Sequence, residues 1–256
     1  MSKVARKNND ILIIPDSHAH PDYDNHRMTW LGRFINEMRP GTVVHIGDMS
    51  DMACFNSHEE GRSKWGKEYG KDIKATKDHQ QKLWAPVKYN PTKVYCLGNH
   101  EVRAETAINA NPEFSGSVDY VADIGATAVW DFIVPFKAEY CCSGISFSHY
   151  FANGLRGSPI GGVAVAKSMC DKLGRSAVQG HSHLLGYYYK DRGLHLPRVE
   201  CWSVGCYSHP AQIEGWNANT VAMWRYGVLY LRNVGGGIAR DGWDWKEQSW
   251  LKTQFS

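Results

Sequence analysis

The stretch Lys93-Val94-Tyr95-Cys96-Leu97-Gly98-Asn99-His100-Glu101 decides the fold. It starts as a β-type run and breaks at a glycine into three polar side chains. These are an amide, an imidazole and a carboxylate, each able to touch a metal or a phosphate. A buried strand that ends in a glycine turn delivers side chains to the carboxyl end of a sheet, where open α/β sheets bind ligands. Asn and Gly at a strand end are also ordinary turn chemistry, so the stretch gains meaning only from others like it.

Working outward, Ile11-Leu12-Ile13-Ile14 is a short continuous apolar run, the mark of a strand buried on both faces, and it ends in Asp16-Ser17-His18. Trp30, Leu31, Phe34, Ile35 and Met38 recur at helical spacing, which predicts a helix over 24–38 stopped by Pro40-Gly41. A second buried strand, Thr42-Val43-Val44-His45-Ile46, ends in Gly47-Asp48. Apolar strands alternating with a helix predict a parallel, right-handed crossover unit. Residues 52–91 are polar and Lys-rich and read as a helical insertion over the strand ends, with helices near 61–69 and 72–83. Helices are predicted near 104–110 and 118–124. Further on, strands are predicted at 127–134, 145–149, 177–179, 184–190, 198–204 and 222–232, with a helix over 163–173. Gly235-Gly236-Gly237 followed by Trp243, Trp245 and Trp250 reads as a C-terminal arm, about 235–256, docked by aromatics. No repeat or linker divides the chain, so a single domain of α/β (α+β) class over 1–256 is expected.

With 43% hydrophobic and 21% charged residues, the composition is that of a globular protein and excludes a disordered chain. A net charge of +3 does not by itself call for nucleic acid. No apolar run approaches a membrane span, and the polar first ten residues lack a signal-peptide core. Seven cysteines at spacings of no disulfide or zinc framework are expected to be reduced thiols in a cytoplasmic protein.

Five candidate strand ends line up: Asp16-x-His18, Gly47-Asp48, Gly98-Asn99-His100-Glu101, Ser148-His149 and Gly180-His181-Ser182-His183. Aspartates, an asparagine and histidines together suit borderline divalent ions such as Mn, Fe, Zn, Ni or Co and not Ca or Mg. The ligands outnumber the needs of one tetrahedral ion, so two metals roughly 3.5–4 Å apart are expected. Among the other histidines, His20, His26, His58, His79, His195 and His209 read as surface or core residues, and His45, inside a strand, as structural.

This ordered set resembles the calcineurin-like metallophosphoesterases, whose signature runs D-x-H, G-D, G-N-H-D/E, a later H and G-H-x-H; the match spans Asp16 to His183. The resemblance implies a two-layer sandwich of mixed sheets flanked by helices. It implies one metal held by Asp16, His18, Asp48 and His183, and a second by Asp48, Asn99, His149 and His181, with Asp48 as the bridge. His100 is implied to contact the phosphate and protonate the leaving oxygen, while a bridging hydroxide attacks phosphorus in line. Glu101 is expected to orient His100 or a ligand, and Asp51 to stand behind the ligands.

The Ser/Thr-phosphatase branch of that family follows its second motif with aspartate-arginine-glycine. Here Gly47-Asp48 continues Met49-Ser50-Asp51-Met52-Ala53, so Asp51 matches and the arginine does not, whereas Arg103 fits that branch's glutamate-x-arginine continuation. The expectation is therefore a metal-dependent phosphodiesterase acting on a nucleotide or nucleic acid. A phosphomonoesterase, or a phosphoesterase-like binding protein without catalysis, is the alternative. Lys64, Lys67, Lys71 and Lys74 follow helical spacing and read either as a solvated face or as a basic lid over a polyanionic substrate.

Overall fold

The computed structural model describes residues 8–56, 64–111, 113, 115–154, 157–213 and 221–256. The first strand, β1 (Ile11–Ile14), is buried along its whole length. Successive side chains of a strand point to opposite faces. Leu12 and Ile14 accordingly enter one core cluster, and Ile11 and Ile13 another. Helix α1 (His26–Met38) buries Leu31, Phe34 and Ile35 against the first cluster and ends at Arg39, which takes a left-handed φ of 51°. Strand β2 (Thr42–His45) pairs in parallel with β1.

The expected insertion contains one long helix among the described residues, α2 (Tyr69–Trp84). Of the helix predicted near 61–69, residues 61–63 lie outside the described residues; among the rest, Lys64 is in a 3₁₀ conformation, 65–66 form a turn and α2 starts only at Tyr69. Helix α2 packs on α1, burying Ile73 and Leu83 in their shared cluster. Strand β3 (Thr92–Cys96) follows, then α3 (Arg103–Ala110), α4 (Tyr120–Asp123) and α5 (Ala126–Val129). The strand predicted at 127–134 is therefore a short helix followed by β4 (Phe132–Val134). Tertiary packing overrides local β preference here, because Ala126 and Trp130 fill the cluster beside Tyr95.

The remaining elements are β5 (Tyr140–Cys142), β6 (Ile145–Ser148), β7 (Ala152–Asn153), β8 (Ser158–Pro159), α6 (Val165–Leu173), β9 (Ala177–Gln179), β10 (Gly186–Lys190), β11 (Val199–Ser203), β12 (Gly227–Leu231), β13 (Val234–Gly235), β14 (Ile238–Ala239), β15 (Trp243–Glu247) and α7 (Gln248–Phe255). The strand predicted at 222–232 is preceded by a 3₁₀ turn at Val221–Met223 and starts only at Gly227.

Two mixed sheets result, one six-stranded in the order β15-β12-β1-β2-β3-β4 and one five-stranded in the order β10-β11-β9-β6-β5. Strands β1 to β4 are mutually parallel, β12 runs antiparallel to β1, and β15, antiparallel to β12, runs in the direction of β1 again. Val44, Val94 and Leu229 of the first sheet share a cluster with Phe147, Val178 and Trp202 of the second, so the sheets face each other. Helices α1 and α7 cover the outer face of the first sheet, and α6 that of the second. In the C-terminal segment, β15 closes the edge of the six-stranded sheet, with Trp243 and Trp245 against the core between the sheets. No helix among the described residues is long and apolar enough to cross a membrane.

Beneath the strand ends runs a buried chain of neutral polar groups. Gly47 N–H donates to His45 Nδ1 (3.3 Å), so His45 Nε2–H donates to Ser17 Oγ (2.8 Å). Ser17 O–H then donates to His79 Nε2 (2.9 Å), and His79 Nδ1–H to Asn25 Oδ1 (3.0 Å). Burial drives the His45 imidazole down to about 3 and His79 well below its ordinary value. Histidine in the unfolded chain takes up a proton near pH 6.5. Both folded-state values are depressed, so their stability contribution is complete above pH 6.5 and is lost as pH falls towards the folded values. The expected slope is about 1.4 kcal/mol per pH unit for each histidine. Urea unfolding of His79→Gln between pH 6.5 and 5 should show a pH slope smaller by about one proton's worth; an unchanged slope would mean that His79 is not held neutral.

Candidate metal centre

The carboxyl ends of β1, β2, β3, β6 and β9 bring Asp16, His18, Asp48, Asn99, His149, His181 and His183 together. Three interlocked groups of ligand atoms lie within 4.8 Å of one another: Asp16, His18 and His183; His18, Asp48 and His100; and Asp48, His149 and His181. His183 Nε2 stands 3.1 Å from Asp16 Oδ2 and 3.3 Å from His18 Nε2. On the other side, Asn99 Oδ1 lies 2.9 Å from both His149 Nε2 and His181 Nδ1, and His149 Nε2 is 3.3 Å from Asp48 Oδ2.

Local backbone explains how short loops achieve this. His18, Asp48, His181 and His183 all take left-handed conformations, with φ of 43°, 49°, 67° and 57°. Such residues carry strain that the surrounding structure must offset, and they cluster at functional sites. The glycines of the loops serve close approach: a Cβ on Gly98 would lie 2.2 Å from Asp48 Oδ1, and one on Gly180 2.3 Å from Asp16 Oδ1. Any side chain at either position would displace a carboxylate.

Hydrogen bonds behind the ligands set which atom each presents. His149 Nδ1–H donates to Ile46 O (3.1 Å), leaving Nε2 as the free lone pair. His18 Nδ1 bonds Asp51 Oδ1 (3.0 Å), again freeing Nε2. Asp48 Oδ1 accepts His100 N–H (2.9 Å), which leaves Oδ2 turned to the histidines. Asp51 thus stands behind His18. Glu101 stands behind the ligand candidate Asp48 and acts on backbone. Its carboxylate makes no bond to the His100 ring; it accepts the backbone N–H groups of Gly98 (2.6 Å), Asp48 (2.9 Å) and Ser50 (3.0 Å). It therefore clamps the loops after β2 and β3 onto each other. Arg27, which sequence reasoning missed, does the same for the first loop, donating from Nη2 to Ser17 O (2.7 Å) and from Nε to Tyr207 O (2.9 Å).

The electrostatics are those of a cation site. Burial opposes charge on every member, yet histidine contacts hold the Asp48 carboxyl well below its ordinary value and also lower that of Asp16. Against burial, Asp51 pushes His18 up to about 9, and Asp48 pushes His149 up to about 9. Glu101 is raised to about 7, first by burial and then by the Asp48 charge. Negative charge concentrated on converging oxygens, beside imidazoles whose Nε2 direction is fixed, is a donor set that fits a borderline divalent ion, which would displace the Nε2 protons of His18 and His149 on binding.

His100 Nδ1–H donates to Asp51 O (2.7 Å), and its Nε2 faces Arg103 Nη2 at 2.9 Å and Asp48 Oδ2 at 3.8 Å. Burial drives this imidazole down to about 3. The groups open into a cavity of about 490 Å³, walled also by Arg103, Val163, Leu184, Met223 and Trp224. Lys67, Lys71 and Lys74 do not line it; Lys71 instead bonds Gly66 O and pairs with Glu68 on the α2 surface.

No family model and no curated protein matches the chain.

Proposed function

We propose that this chain is a dimetal phosphoesterase that hydrolyses phosphodiesters of nucleotide or nucleic-acid type. The observation that carries the reading is the position of Asp48, whose carboxylate belongs both to the group with His18 and His100 and to the group with His149 and His181, while His18 also belongs to the group with Asp16 and His183. A shared carboxylate between two nests of histidines is what two neighbouring cations require. Asp16, His18, Asp48 and His183 would hold one ion, and Asp48, Asn99, His149 and His181 the other, with Mn the best-suited metal and Fe, Zn, Ni or Co also compatible. Bound there, two cations supply a nucleophilic hydroxide at neutral pH and neutralise phosphate oxygens.

The protein's own part is to place the phosphate and manage its proton. The tautomer of His100 gives Nε2 a proton only as imidazolium, a charge that the neighbouring Arg103 guanidinium opposes and that two bound cations would oppose as well. An anionic phosphate beside it favours the charge, so His100 delivers a proton to the departing oxygen with substrate in place. Arg103 supports the diester preference. A monoester dianion rewards a guanidinium that grips two oxygens at once. Arg103 already donates from Nη1 to Asp51 O and points Nη2 at His100, so one edge of its fork is committed within the protein.

The purified, Mn-loaded protein should therefore hydrolyse bis-p-nitrophenyl phosphate faster than p-nitrophenyl phosphate, with both rates abolished by a chelator. A clear preference for the monoester would contradict the diesterase reading. Failure on both esters, with metals bound, would contradict the enzymatic one.

A further inference from the structure

Two exposed large apolar side chains of the described structure stand in the wall of the metal-centre cavity. Val163 is 87% exposed and Met223 52% exposed, and both line the metal-centre cavity together with Leu184 and Trp224. Exposed apolar side chains gathered at a site, and not scattered singly, mark a surface that receives something. The shelf is tied to the metal centre. The Trp224 indole meets the His183 ring edge to face, with centroids 4.1 Å apart, and Arg225 N–H donates to His183 O (3.2 Å). Arg103 lines the same cavity, against His100. The cavity therefore combines places for an anion with an apolar, aromatic shelf one ring contact away from His183.

We propose that this shelf binds the nucleoside on the non-departing side of the phosphodiester, by stacking its base against Trp224 and packing it on Met223, Val163 and Leu184. The proposal rests on the phosphoesterase reading and narrows its substrate to esters that carry a nucleoside next to the scissile phosphate. Three observations select that occupant. The group must begin at the phosphate, because the shelf touches a metal-ligand candidate. It must be short, because four side chains in a cavity of about 490 Å³ cannot follow a lipid chain. It has no need of flanking phosphates, because the lysines of α2 do not line the cavity. Aromatic stacking accepts any base, so little base preference is expected.

The test compares thymidine 5′-(p-nitrophenyl phosphate) with methyl p-nitrophenyl phosphate on the Mn-loaded protein. The leaving group is the same, so the ratio of their KM values isolates the other substituent. The nucleoside ester is expected to have a KM at least roughly tenfold lower. Trp224→Ala should remove most of that ratio. Met223→Ala, which leaves the His183 contact in place, should remove part of it. Metal content measured on each variant separates loss of the shelf from loss of His183. Equal KM values for the two esters, or a ratio that survives both substitutions, would overturn the proposal. If neither ester turns over, the phosphoesterase reading fails. The shelf is then judged by calorimetric binding of thymidine 5′-phosphate against methyl phosphate: tighter nucleotide binding lost in Trp224→Ala supports it, and equal affinities overturn it.

Discussion

Asp48→Asn should lower the metal content from two ions per chain to one or fewer and cut turnover of a model diester on the order of a thousandfold. The fold should survive, because an asparagine oxygen can still accept the His100 N–H that Asp48 Oδ1 accepts now (2.9 Å). What is lost is the negative charge and the second oxygen, Oδ2, which faces His149 at 3.3 Å and His100 at 3.8 Å. Metal-assisted charge stabilisation is worth several kcal/mol of barrier, and each 1.36 kcal/mol is tenfold in rate. Metal analysis and rate on bis-p-nitrophenyl phosphate, taken on the same preparation, check this. Normal filling with a near-normal rate would remove Asp48 from the centre of the account.

His100→Ala should behave in the opposite way with respect to metal. Both ions should stay, while the rate falls roughly 10²–10⁴-fold, the range of a positioned general acid. The loss should be larger for a methyl-type leaving group than for p-nitrophenolate, because a basic departing oxygen needs the proton more. The structure makes this a sharp test, because His100 Nε2 carries a lone pair and lies in one ligand group with His18 and Asp48. Loss of an ion in the variant would make His100 a ligand. An equal loss for both leaving groups would leave it a phosphate contact without proton transfer.

The strand ends were legible because two local signals coincide there. Continuous apolar runs such as Ile11–Ile14 mark strands covered on both faces, and both core clusters receive them. The glycines at 98 and 180 mark places where a backbone must approach a carboxylate, as their contacts with Asp48 and Asp16 show. Where local preference competes with packing, the reading failed: Ala126–Val129 became helical beneath Tyr95. The polar chain through His45, Ser17 and His79 was out of reach for a different reason. Ser17 and His79 are 62 positions apart, and His79 sits on a helix whose spacing suggests only a buried face. Glu101 was legible as a supporting group but not in its target, because a carboxylate that accepts backbone N–H leaves no trace in side-chain pattern. Trp224 had no signal at all: it follows a 3₁₀ turn, and only the fold brings it to His183.

Central to the account is that two divalent cations share Asp48. The most direct measurement is manganese titration of the chelator-treated protein, with bound metal counted and the low-temperature electron paramagnetic resonance spectrum recorded. The account predicts two equivalents per chain and a spin-coupled signal that disappears in Asp48→Asn. A single uncoupled manganese, or two whose number and spectrum are indifferent to that substitution, would contradict it.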